Sequence, residues 1–284
     1  KRAKKTMTLT FATEDGASET TVSGVETVLL NIPHNALENV GFAADAFSAK
    51  SEKVLDSVTT SSMNKVYAYY ADAWWASKLG MMEGTFSSRD YDAPLEGRYH
   101  DGPIKCVVGK DDDGQPVYSG VKVPFGNCSG ALEVYYSGGV SYYQAQMTDP
   151  RAPVTVSTAD DDALKKDVHA ALVGFHADLL SGAGVDPAAL ELPETVVLSN
   201  WIADGDFTPG IGRFTLGDDA RAVARNPTNG EYNLFVANQD YGYKSGWANG
   251  GLLMAEKVLQ ANLGLAPPAW LDADYYANKV VAVP

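Results

Sequence analysis

The residues best placed for chemistry cluster near the C-terminal end, around Gly246, Trp247, Ala248, Gly250 and Gly251. Glycines at the start of a helix let another group approach the backbone closely, and free amides there suit an anionic or carbonyl-rich ligand. A plain packed βα unit has the same pattern, so both readings stay open. Lys65 stands at the start of a strand-like stretch, where a solvated lysine is the ordinary reading. Trp201 closes an apolar run and is equally at home as a core aromatic. His169 and His176 are seven residues apart on one expected helix face. A metal pair would more naturally use a spacing of four, so both read as ordinary helix residues. Asp111, Asp112 and Asp113 lack the ligand spacing of a calcium loop and read as an exposed hairpin tip. A dinucleotide fingerprint, G-x-G-x-x-G between strand and helix, is absent: Gly210-Ile211-Gly212 lacks both the third glycine and that setting.

The elements that must position these residues follow from periodicity. Residues 233–237 form a short apolar run after Asn229-Gly230, as expected of a buried strand. An irregular turn covers 238–245. From Trp247 onward, Leu252, Leu253, Ala255, Val258, Leu259 and Leu263 recur at helical spacing as far as Gly264, a C-cap. Upstream, 7–12 and 20–23 read as a strand pair about Asp15-Gly16, and 25–32 as a more apolar strand stopped by Pro33. Residues 43–58 read as one helix or two short ones, 59–63 as a polar break and 65–70 as an alternating strand. The stretch 80–143 is strand-like and rich in turns, with 134–136 and 140–143 expected to form a hairpin about Gly138-Gly139. Ser157, Thr158 and the acids at 160–162 announce a helix running to about Leu180. A turn of helix at 188–190 and an apolar strand at 196–201 follow.

Composition sets the outer bounds. The chain has 284 residues, 45% of them hydrophobic and 10% aromatic, enough for a sizeable core in one large or two ordinary domains. A net charge of -14 argues against a nucleic-acid partner or an anionic membrane surface. The basic cluster Lys1-Arg2-Ala3-Lys4-Lys5 reads as a frayed or trimmed end, or as an interaction arm. No apolar run has the length of a transmembrane helix. Cys106 and Cys128 flank a turn-rich stretch and could pair, and Asn127-Cys128-Ser129 fits a glycosylation sequon.

Four segments, in this order, resemble the flavin-dependent amine oxidases. VETVLLNIPHNAL, from Val25, follows a strand pair as in the family's FAD-binding domain. SMNKVYAYYADAWW, from Ser62, is similar to the segment whose lysine holds a water against the flavin N5, and Lys65 takes that place. VVLSNWIADGDFTPGIG, from Val196, resembles the segment re-entering the active site, with Trp201 beside the flavin. Ala237-Asn238-Gln239 and Gly246-Trp247-Ala248-Asn249-Gly250-Gly251 match the last flavin-contacting element.

The resemblance implies an α/β plus α+β fold. A partial, Rossmann-like FAD-binding domain would come from both chain ends (1–40 and 225–264), with a mixed-sheet and helix substrate domain inserted at 41–224 and a tail at 265–284. It implies oxidative deamination of an amine or L-amino acid with FAD as cofactor, giving an imine or keto acid and hydrogen peroxide. Lys65 would be catalytic, Trp201, Gly212 and Trp247 would line the substrate cavity, and Gln239, Gly246, Trp247 and Ala248 would contact the cofactor. Gly212 falls where an aromatic cage for simple amines has a tyrosine, and Trp247 matches the L-amino acid oxidases. Arg213 has no motif to assign it to a substrate carboxylate. Two departures stand out. The missing fingerprint implies that the chain is the C-terminal part of a longer protein, or a processed subunit working with an N-terminal FAD-binding segment or chain. Asn238-Gln239 replaces the family's Gly-acid pair. A second reading is therefore a flavin-free, catalytically inactive accessory subunit of a larger multi-subunit assembly. A third, a ligand-binding β-rich module, has only the hairpin-rich middle in its favour.

Overall fold

A computed structural model describes the chain except for residues 1–3, 14, 100–101, 120–127, 148, 150–151, 203–210, 215–229, 243–246 and 282–284. In chain order it forms β1 (Met7–Ala12), β2 (Glu19–Val25), β3 (Thr27–Leu30), α1 (His34–Glu38), α2 (Ala49–Leu55), β4 (Val58–Ser61) and β5 (Met63–Tyr70). Next come α3 (Trp74–Ser77), β6 (Thr85–Ser88), β7 (Leu95–Arg98), β8 (Ile104–Lys110), β9 (Pro116–Ser119) and β10 (Cys128–Gly138). Then follow α4 (Ser141–Gln144), β11 (Val154–Ser157), α5 (Ala163–Phe175), α6 (Ala177–Gly182), β12 (Thr195–Trp201), β13 (Ile211–Phe214), β14 (Asn233–Val236) and α7 (Ala248–Leu263). Two compact units result, one from residues 1–61 and 209–284, the other from residues 62–208.

The inner unit is built on an eight-stranded sheet in the order β11-β12-β5-β10-β7-β6, with β8 paired to β10 and β9 to β8. Its central strand, β5, alternates strictly: Asn64, Val66, Ala68 and Tyr70 are buried while Met63, Lys65 and Tyr67 are half-buried on the other face. The buried face packs with Leu132, Val134, Val196 and Leu198 from the flanking strands, and with Leu164, Val168 and Leu172 of α5. A strand of period 2 that must hide one face has little freedom of register. Asn64 sits in this core because its polar atoms are used: it donates to Asn200 and accepts from the Val140 amide at 2.7 Å.

The terminal unit holds the β1–β2 hairpin, the antiparallel pair β4–β13 and the parallel pair β3–β14, in register Thr27–Asn233 to Leu30–Val236. Phe235, Val236, Ala237 and Tyr241 pack with Leu55, Met254 and Val258 into its core. Gly264 ends α7 in the left-handed conformation (φ 69°), as its place after Leu263 predicts.

Several sequence expectations are corrected. Residues 134–136 and 140–143 do not form a hairpin: the former lie inside β10, and α4 begins just after Gly138-Gly139. A short apolar run does not separate strand from helix by pattern alone, and here the Asn64–Val140 bond starts a helical turn instead. The supposed polar break after Val58 is strand β4, whose β-branched Val58, Thr59 and Thr60 suit the ladder with β13. Helix 43–58 reduces to α2, capped by the Ser48 side chain, and the helix expected to reach Leu180 breaks at His176 into α5 and α6. Of the basic cluster, Lys4 and Lys5 are held: the Lys5 amide bonds Glu231 O at 2.9 Å, and Lys4 Nζ donates to Gly230 O at 2.6 Å, while residues 1–3 lie outside the described residues. Cys106 and Cys128 face each other across β8 and β10 and are disulfide-bonded.

Candidate functional site

The half-buried face of β5 assembles one group of the expected residues. Register places Ser199 of β12 and Tyr136 of β10 opposite Lys65, and Trp201 opposite Met63, so Lys65, Trp201 and Tyr136 share this face. Lys65 Nζ lies 3.6 Å from Glu133 and over the rings of Tyr136 (4.4 Å) and Tyr67 (5.1 Å). Glu133 is fully buried, accepts from Tyr67 Oη at 3.1 Å and has Arg98 Nε at 3.8 Å. Burial by itself would lower the Lys65 ammonium. The Tyr67 hydrogen bond and the Glu133 charge outweigh it, so the net shift is upward and Lys65 stays protonated at neutral pH. This is a cation fixed by one buried acid and two rings, able to donate to a water or an acceptor above the sheet.

Glu133, Tyr67 and Tyr136 were not identified from the sequence. The available signal was a single carboxylate inside the apolar run Leu132-Glu133-Val134, since such a group enters a core only when paired.

In the terminal unit, β14 leads through a 3-10 turn, Gln239–Tyr241, toward α7. The glycines at the helix start do admit a close approach, but the approaching group is the chain itself. A Cβ on Gly242 would lie 3.0 Å from Gly250 O, and one on Gly251 would lie 3.5 Å from the Gln239 amide. The Asn238 side chain donates to Ile32 O and accepts from the Asp240 amide at 2.9 Å. Gln239 donates to Asp240 Oδ1. Asp240 is buried, accepts from the His34 amide at 2.9 Å and takes a backbone hydrogen bond from Gly212. Burial pushes its carboxyl above the ordinary 3.8 despite those two amides.

Gly212 is where it is because of this carboxylate. A Cβ there would stand 2.3 Å from Asp240 Cγ. The space a side chain at 212 would take is filled by Asp240.

Trp247 is the N-cap of α7, makes no side-chain capping bond and is 68% exposed; Ala248 begins the helix. The Gly250 amide bonds Trp247 O at 2.9 Å, and the other first-turn amides of this 16-residue helix, which no Trp247 side chain caps, are of the kind that suits an outside acceptor. Gly246 lies outside the described residues, as do the side chain of Arg213 and Asn127 of the sequon. Among the described residues, no group of three or more His, Cys, Asp or Glu is placed to hold a metal ion.

Among solved structures, putrescine oxidase bound to putrescine matches 87% of this chain and 46% of its own, with a TM-score of 0.50 and 13% identity. The chain has part of the flavin amine oxidase fold. A triple mutant of the same oxidase gives a TM-score of 0.49 at 15% identity over 87% and 44% of the two chains. No family model matches the sequence, and no curated protein does. The chain spans less than half the length of the oxidase it matches. Among the described residues, no helix is long and apolar enough to cross a membrane.

Proposed function

We propose that this chain contributes the substrate-binding and C-terminal flavin-contacting parts of an FAD-dependent enzyme that oxidatively deaminates an amine or L-amino acid. The single observation that carries the reading is the fold likeness to putrescine oxidase, with Lys65 clamped on the open face of β5 where the resemblance calls for a lysine. The first-turn amides of α7 fit such a cofactor, an acceptor-rich ring edge, and the flat, exposed Trp247 beside them fits a cavity wall. When bound, FAD supplies the hydride acceptor and hands electrons on to oxygen, releasing peroxide. In this reading Trp247 and Ala248 of the terminal unit meet the ring, and Trp201, on the same face of the inner sheet as Lys65, faces the substrate. Lys65 holds a water by donating a proton of its ammonium toward it. An N-terminal segment or chain carrying the glycine fingerprint completes the nucleotide site.

The Asn238–Asp240 turn favours a second reading. Where the resemblance expects a glycine and a free acid, Asn238 bonds Ile32 O and the Asp240 amide, and Gln239 bonds the Asp240 carboxylate. That is what a flavin-free accessory subunit of a larger assembly would have.

An absorbance spectrum of the protein from its native source, paired with intact-mass analysis, separates the two. Flavin bands, an upstream segment with the fingerprint, and peroxide release from diamines or L-amino acids support the enzyme. Peroxide release should then fall by at least about tenfold in Lys65→Met, on the scale of a lost proton-handling group. A colourless protein in a complex without such a segment leaves the accessory reading standing.

A further inference from the structure

The core of the inner unit contains two tyrosine–histidine pairs that no step above uses. Tyr99 Oη and His176 Nε2 are 2.6 Å apart, and both residues are buried. His176 Nδ1 lies 2.7 Å from Leu172 O. A carbonyl only accepts, so Nδ1 carries the ring proton, Nε2 is the acceptor, and Tyr99 donates to it. Tyr70 and His169 repeat the arrangement: Oη to Nδ1 is 3.1 Å, and the His169 ring is also bonded to the Leu190 backbone in a contact that favours its protonated form.

Trp74 and Trp75 lie between the pairs. Ring centroids are 5.2 Å apart for Trp74–His176, 5.9 Å for Trp74–Trp75 and 5.6 Å for Tyr70–Trp75. Among the described residues, the Trp75 indole N–H is buried without a partner. That of Trp74 lies near enough to Tyr70 to favour its ionised form but makes no hydrogen bond of ordinary geometry. His169 is the half-buried member, the point where the cluster approaches solvent.

Buried tyrosines could be housed more simply by backbone carbonyls. Pairing each with a neutral imidazole, whose other nitrogen is already oriented, instead gives each phenol a base aimed at its proton. We propose that the two pairs, joined through Trp74 and Trp75, form a site that takes up one-electron oxidising equivalents and holds them as neutral tyrosyl radicals. In the step, Tyr99 gives one electron to a one-electron oxidant, such as a peroxide-derived hydroxyl radical, which is thereby reduced. The Tyr99 O–H bond breaks and its proton forms an N–H bond at His176 Nε2. The products are a phenoxyl radical and an imidazolium whose two donors face Leu172 O and the phenoxyl oxygen. Tyr70 and His169 do the same, and the indoles pass the electron between the pairs. The cluster needs no flavin, so it stands apart from the function proposed above.

The test oxidises the whole protein with photogenerated ruthenium(III) tris-bipyridine and traps it for high-field electron paramagnetic resonance. The wild type should give a tyrosyl signal with the g-values of a phenoxyl hydrogen-bonded to a cationic donor. In the Tyr70→Phe, Tyr99→Phe double variant, with folding checked by circular dichroism, this signal should fall below half. A wild-type signal with only the g-values of solvent-exposed tyrosyl overturns the proposal without recourse to any variant. So does an undiminished signal in the folded double variant.

Discussion

The clearest test of the terminal unit is Gly212→Ala. The added methyl would stand 2.3 Å from Asp240 Cγ and 2.5 and 2.6 Å from its two oxygens, against an ordinary contact of about 3.5–4 Å. The carboxylate must retreat by roughly 1 Å or more. It cannot do so freely, because it accepts the His34 amide at 2.9 Å in a buried setting. Overpacking of this kind costs about 1–3 kcal/mol, and leaving a buried amide unsatisfied costs a similar amount, for a loss of about 2–6 kcal/mol. With a urea slope of about 2 kcal/mol per molar, the midpoint by circular dichroism should drop by about 1–3 M. Gly138→Ala is the matched control: nothing lies within 4 Å of its added Cβ, and its effect should stay within about 0.5 kcal/mol. Asp240→Ala supplies the second arm. With the carboxylate gone, the alanine at 212 should cost less by about 1–3 kcal/mol, the coupling of residues in contact. Equal midpoints for Gly212→Ala and Gly138→Ala would refute the packing argument. So would an undiminished cost in the Asp240→Ala background.

Other consequences can be checked with the same assay. Glu133→Ala removes the buried acid that Lys65, Arg98 and Tyr67 share; because both cations remain partly exposed, the loss should be about 1–3 kcal/mol, below the 3–5 kcal/mol of a fully buried pair. The Cys106–Cys128 bond closes a loop of 22 residues, so reduction, or Cys106→Ser with Cys128→Ser, should cost about 3 kcal/mol. Burial holds His169 and His176 below the ordinary 6.5. The unfolded chain then binds the extra protons first as pH falls, so their contribution is complete above pH 6.5 and is lost on acidification toward the folded values. A His169→Gln variant should show a shallower loss across that window.

Much of the fold was legible because one face of each main strand is apolar. Met63–Tyr70 and Thr195–Trp201 alternate cleanly, and α7 shows its helical spacing and its C-cap glycine. What escaped was set by partners distant in sequence. Val58–Ser61 looks polar until Ile211–Phe214 pairs with it, and the turn after Gly139 is decided by the Asn64 side chain, 76 residues away. The site was legible only in part for the same reason. Lys65 and Trp201 could be named singly, but Glu133 and Tyr136 join them only through strand register.

The glycines of the C-terminal segment show how one pattern serves two ends. Gly250 and Gly251 were expected to open the backbone to a ligand, and they do open it, to the turn that carries Gln239 and Gly242. The Asn238 side chain already bonds Ile32 O and the Asp240 amide, and the Gln239 side chain already donates to Asp240, so a cofactor using these groups would break bonds such as Asp240 N–H to Asn238 at 2.9 Å. Under the proposed function, binding by this chain therefore rests on the uncapped first turn of α7 and the exposed ring of Trp247. Ribose and phosphate contacts then fall to the segment carrying the glycine fingerprint. The chain by itself would orient the ring while holding the nucleotide weakly, and flavin retention should depend on that segment far more than on any substitution at Gln239.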